Sequence, residues 1–230
     1  QILELDPNNQ AILISKASCL SESKQYSDAI SVYDQVLELD PNNQKTLQSK
    51  AYCLRKNCQY SDALPIYDQI LELDPNNQAI LRTKASCLSK SGQFHSSLQL
   101  IEKILDDPNF IDRYLAKKYA KTYVEIFPND DATQFLNLKI NLNKHNFSWY
   151  LVLINFYKLQ NKFDEIIQLC ENNAFLLNES IFLVEIAQSY ELQNKFDESV
   201  KYCTEALEKN PDNFWALFSR GQNYVDLKQY

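Results

Sequence analysis

The stretch Leu37-Glu38-Leu39-Asp40-Pro41-Asn42-Asn43 decides how this chain is read. The same seven residues stand at 3–9 and again at 71–77, 34 residues away on either side. Residues 10–43 and 44–77 are identical at 22 of 34 positions. Within each unit the apolar residues recur three and four apart, the spacing of one face of a helix. Pro41 and Pro75 each follow an apolar run, where a proline can open a new segment but cannot continue a helix. Each unit therefore reads as two short antiparallel helices, with a tight turn near Ser23–Tyr26 in one copy and Asn57–Tyr60 in the next.

The composition agrees. Of 230 residues 45% are apolar, enough for a sizeable core. Two glycines are too few for the turns and phosphate loops of a doubly wound sheet or a β-sandwich. Thirty acidic residues against 23 basic ones give a net charge of −7, which argues against a general nucleic-acid binder. The most apolar run, Trp149 to Tyr157, is nine residues long and holds Asn155, far short of a membrane span. No signal peptide is visible, and methionine is absent even at position 1, so a piece of a longer or processed protein is expected. Cys19, Cys53 and Cys87 follow the repeat period rather than a metal-ligand spacing, and they pair with no histidine cluster. Reduced thiols, a cytoplasmic setting (cytoskeletal or ciliary assemblies included) and no metal or cofactor are expected.

The first unit carries Leu13-x2-Lys16-Ala17-x2-Leu20, then Ala29-x3-Tyr33, then Pro41. The second carries Leu47-x2-Lys50-Ala51-x2-Leu54, Ala63-x3-Tyr67 and Pro75, and the third Leu81-x2-Lys84-Ala85-x2-Leu88 with Ser97-x3-Ile101. Related patterns return as Tyr150-x2-Leu153-Ile154-x2-Tyr157 and Leu183-x2-Ile186-Ala187-x2-Tyr190. These residues resemble the tetratricopeptide repeat, a 34-residue helix–turn–helix with W-x2-L-G-x2-Y, then A-x3-F, then a closing proline. The small residues suit a close helix crossing. Lys16, Lys50 and Lys84 depart from the pattern, and their aliphatic stems are expected to cover the neighbouring helix while the ammonium reaches water. Pro65, inside a second helix, is expected to remove one hydrogen bond and to kink it.

The resemblance covers most of the chain. It implies an all-α fold, a right-handed superhelix of about 13–14 helices in a single array. Residues 1–9 would end a truncated unit; 10–43, 44–77 and 78–111 are clear repeats; 112–146 is a degenerate one with helices near 109–127 and 130–144, broken at Pro128-Asn129-Asp130. Residues 147–179 and 180–213 are further repeats, and 214–230 a lone first helix.

In this family first helices line a concave groove. The implied partner-binding residues are Gln48, Tyr52 and Arg55, Arg82 and Ser86, then Arg113, Lys117 and Tyr123. Charge follows the same map, since residues 109–158 carry a net +3 while both flanks are acidic. Arg113, Lys117 and Lys121 lie four apart, a stripe that would draw an acidic peptide or stand as a solvated face. The carboxylate clamp of some relatives is poorly matched: Arg113 and Lys117 fit, but Gln48, Tyr52 and Thr83 replace its other three members. The aromatic residues of the middle, from Tyr114 to Tyr157, read as core packing ahead of a binding hot spot. Asp106-Asp107 and Asp130-Asp131 read as helix caps, and nothing resembles a catalytic constellation. The expected function is a non-catalytic scaffold that holds a protein or peptide partner, acidic by the charge map, within a larger assembly. The alternative is a targeting arm of a longer enzyme whose catalytic domain lies elsewhere.

Overall fold

The computed structural model describes residues 9–109, 111–127 and 132–227. The Pro128-Asn129-Asp130 break, the Asp130-Asp131 cap, the end of the truncated unit up to Asn8 and the last three residues lie outside them. Among the described residues all regular structure is helical. The first unit holds α1 (Gln10–Glu22), α2 (Tyr26–Leu39), α3 (Gln44–Lys56), α4 (Tyr60–Leu73), α5 (Gln78–Lys90) and α6 (Phe94–Leu105). The second holds α7 (Arg113–Ile126), α8 (Thr133–Leu142), α9 (Phe147–Leu159), α10 (Phe163–Glu171), α11 (Ser180–Leu192), α12 (Phe196–Lys209) and α13 (Phe214–Asp226). The two compact units divide between Ile104 and Leu105, so the last residue of α6 already belongs to the second. The first helices of successive hairpins begin at Gln10, Gln44, Gln78, Arg113, Phe147, Ser180 and Phe214.

The repeated heptapeptide is a helix-stop joined to a helix-start. Asp40 ends α2, its backbone N–H donating to the Val36 carbonyl. Asn43 caps α3, its side-chain oxygen accepting the Thr46 N–H at 3.0 Å. The Asn43 amide also donates to the Asp40 carboxylate at 3.1 Å, tying stop to start. Asp74 and Asn77 repeat the arrangement before α5. An Asn cap satisfies a backbone donor that the first helical turn leaves unpaired.

The turns inside the hairpins are equally periodic. Lys24, Cys58, Gly92, Asn161 and Asn194 all adopt positive φ, between 56° and 81°. In each case the next residue donates its N–H to a carbonyl five residues back: Gln25 to Leu20, Gln59 to Leu54, Gln93 to Leu88, Lys162 to Tyr157 and Lys195 to Tyr190. This is the Schellman closure, which usually takes glycine at the left-handed residue.

Packing in the first unit follows the register of the repeat. Ala17, Ala29, Ala51 and Ala63 are sealed from solvent where helices cross, flanked by Leu13, Tyr33, Leu47, Leu54 and Tyr67. Leu20 is only partly buried. Lys50 and Lys84 do more than reach water. Each pairs with an aspartate of the preceding second helix, Asp34 and Asp68 respectively, so the substitution ties neighbouring repeats. α4 runs unbroken from Tyr60 to Leu73 through Pro65.

In the second unit α7 packs on α9, α9 on α8 and α10, and α11 on α10 and α12, with α13 closing on α12. Within the aromatic run Tyr119, Trp149, Tyr150 and Phe156 are buried core, as is Phe182 beyond it, whereas Tyr114 and Phe127 are exposed. Asp106 does not cap a helix as its position suggested. Its carboxylate accepts the Trp149 indole N–H at 2.9 Å and sits 3.4 Å from the Lys139 ammonium, because the buried indole needs an acceptor. α10 is only nine residues long, and a 3₁₀ turn at Leu176–Asn178, anchored by buried Leu176, replaces its last turns. All six cysteines are free; Cys19 and Cys58 are exposed and the other four buried. Burial first, then the neighbouring Glu185 and Glu171, pushes the Cys170 thiol up to about 12.

Candidate groove in the second unit

First helices alone build one cavity of the second unit, about 540 Å³ in volume. α7 contributes Arg113, Tyr114, Lys117 and Lys121 along one edge. α9 supplies Asn155, Lys158 and Leu159. α11 supplies Glu185 and Gln188, and α13 supplies Trp215. α7 is positioned by Asp112, whose carboxylate accepts the backbone N–H groups of Tyr114 and Leu115 at 2.9 and 3.1 Å.

The electrostatic centre is Glu185, a carboxylate only 2% exposed. One of its oxygens takes the Arg113 guanidinium and the other the Lys158 ammonium. Lys158 also donates to the side-chain amide oxygen of Gln188, Oε1, at 3.1 Å. Burial alone would raise the Glu185 pKa. The ion pairs and hydrogen bonds with Lys158 and Arg113 outweigh burial and hold it below the ordinary carboxylate range. Three helices whose residues lie up to 72 positions apart are thereby joined at one carboxylate. The Arg113 guanidinium also lies over the Trp215 ring, 6.0 Å from its centroid.

The remaining cations differ. Lys121 faces Glu125 one turn on, at 3.8 Å. Lys117 makes no ion pair among the described residues, and it points into the same cavity. Around it stand exposed apolar groups: Tyr114 is 59% exposed and Trp215 50%. The cavity is thus net positive, with one uncommitted ammonium between aromatic walls.

The family profile of the tetratricopeptide repeat matches residues 181–213, across α11 and α12. That of anaphase-promoting complex (cyclosome) subunit 3 matches residues 22–104. The chain belongs to the tetratricopeptide-repeat family. Neither profile describes a catalytic domain. A tetratricopeptide repeat protein from Parabacteroides merdae has a similar structure, with a TM-score of 0.50 and 15% identity over 96% of this chain and 87% of that one. YrrB, described as a TPR protein with an unusual peptide-binding site, gives a TM-score of 0.47 and 14% identity over 96% of both chains. No curated protein matches the sequence.

Within this tetratricopeptide-repeat protein the residues named from sequence fall in several places. Arg113 and Lys117 line the cavity of the second unit. Tyr123 does not join them. Six residues past Lys117, it sits about 120° away around the helix, packed on Tyr119, Phe127 and Phe135 toward α8. In the first unit Gln48 and Tyr52 line a shallower cavity of about 340 Å³ with Ser18, Ser21, Tyr33 and Lys45. Arg55 turns its guanidinium over the Tyr52 ring at 5.5 Å. Arg82 is exposed on α5 and Ser86 is half-buried there. Glu185 and Trp215 were missed. Lys121 continues the four-residue step of Arg113 and Lys117. Glu185 was signalled only by its being a charge between Leu183 and Ile186.

No helix among the described residues is long and apolar enough to cross a membrane.

Proposed function

We propose that this chain is a non-catalytic interaction module whose second unit holds an acidic peptide segment of a partner in the cavity between α7, α9, α11 and α13. Tetratricopeptide-repeat domains mediate protein–protein contacts, and the resemblance of residues 22–104 to a subunit of a multiprotein complex favours a place in a larger assembly. One observation carries the reading: Lys117, without an ion pair, projects into a net-positive cavity bordered by exposed Tyr114 and Trp215. An ammonium there has only water to lose, so a carboxylate gains attraction without breaking a protein contact. The adjacent rings offer rigid apolar area to a neighbouring side chain.

The test is fluorescence anisotropy with a labelled hexapeptide: two glutamates, then leucine, phenylalanine and two serines. Wild type should bind in low salt, and Lys117→Glu should weaken binding by about tenfold or more through charge reversal. Equal binding by both proteins would overturn this site.

A further inference from the structure

We propose that Glu185 determines which acidic segments the cavity accepts, by withdrawing two of its four cations from the ligand. The inference rests on the acidic-peptide reading above and refines it.

Four cations line the cavity, and by number alone they suit a run of acidic residues. Glu185 changes that count. Each of its oxygens is taken by one cation, and the carboxylate lies too deep for water to replace it. A ligand carboxylate competing for Arg113 or Lys158 would leave Glu185 buried with an unmatched charge, a costly arrangement. The charges left to the ligand are Lys117 and, in its loose pair with Glu125, Lys121. Both lie on α7, one turn apart. Apart from the Asn155 and Gln188 amides, which bond the Leu151 carbonyl and Lys158 respectively, the rest of the lining offered to a ligand is apolar: Tyr114, Leu159 and Trp215, each half exposed or more. A polyacidic segment would set its surplus carboxylates against these groups and near Glu185, where they would lose water without finding a partner. A segment with two acidic residues followed by a large apolar side chain meets every surface. Discrimination thus comes from a repulsive element as well as an attractive one.

Two probes separate the outcomes: the hexapeptide described above and hexaglutamate, both labelled, acetylated and amidated. Wild type should prefer the mixed peptide by about tenfold. Its affinity should fall with salt as expected for about two neutralised charges rather than four. In Glu185→Gln, whose fold is checked by circular dichroism, Arg113 and Lys158 become available. Hexaglutamate should then tighten by about tenfold, with a steeper salt dependence. Glu185→Asp, which keeps the charge, should retain the wild-type preference. A wild type without preference, or a salt dependence showing four charges, overturns the proposal even if Glu185→Gln fails to fold. Unchanged preference in a folded Glu185→Gln overturns it as well, while leaving the acidic-peptide site standing. Binding of neither probe by wild type overturns both.

Discussion

Single residues carry much of this fold's definition, and the left-handed turn positions show how. Lys24 and Cys58 hold φ near 60° with a β-carbon attached. For such residues the conformation costs about 1–2 kcal/mol, whereas glycine would cost only about 0.5–1 kcal/mol more chain entropy. Lys24→Gly should therefore raise stability by about 0.5–1 kcal/mol in urea titration, and Lys24→Val should lower it. The sequence placed turns near Lys24 and Cys58 but gave no sign of their left-handed geometry, because neither residue is the glycine or asparagine that usually takes it. By contrast the aspartate and asparagine of the heptapeptide were legible, since their short side chains stop and start helices wherever they recur. Glu185 belongs to the same scale. Its pKa is held low in the folded chain, so near the ordinary carboxylate value the unfolded chain binds more protons. Its contribution to stability is complete above that value and is lost as pH falls through the folded pKa. The difference in melting temperature between wild type and Glu185→Gln should thus be largest above about pH 5 and shrink toward pH 3. A constant difference across that range would contradict the ion-paired state.

At the scale of elements, the hairpins were readable wherever the small-residue crossings recur and less so where they do not. The repeat of 112–146 keeps its helices and buries Ala116 and Ala120, but adds packing around Trp149, whose pairing with Asp106 across 43 positions no local spacing announces. The early end of α10 was similarly silent, because Phe163-Asp164-Glu165 starts that helix as its counterpart at 196–198 starts α12. Pro65 shows what the repeat tolerates. Its counterpart one period earlier is Ser31, whose hydroxyl bonds back to the Ser27 carbonyl in α2. α4 lacks one backbone donor for the same geometry, and Pro65 is exposed, so no packing compensates. Pro65→Ser should stabilise the first unit by about 1–3 kcal/mol in thermal melts. A loss of stability would mean that the ring is engaged in a way its exposure does not show.

At the scale of the molecule, stacking hairpins brings together residues that share nothing in sequence but their position on a first helix. Arg113 and Lys117 could be placed on that surface from the repeat alone. Glu185, two hairpins further on, could not be joined to them until the stacking was known. Tyr123 fell on another surface because a helix turns about 100° per residue, which the spacing of the stripe had already fixed. The functional reading therefore depends on one surface of the second unit, the one that first helices alone make. Photo-crosslinking tests it most directly. The mixed hexapeptide, with benzophenone in place of its phenylalanine ring, is irradiated on the full chain and the adducts are mapped by mass spectrometry. Adducts on Tyr114, Lys117, Asn155 or Gln188 are expected. Adducts gathered instead on exposed second-helix residues such as Glu198 and Lys201 would contradict it.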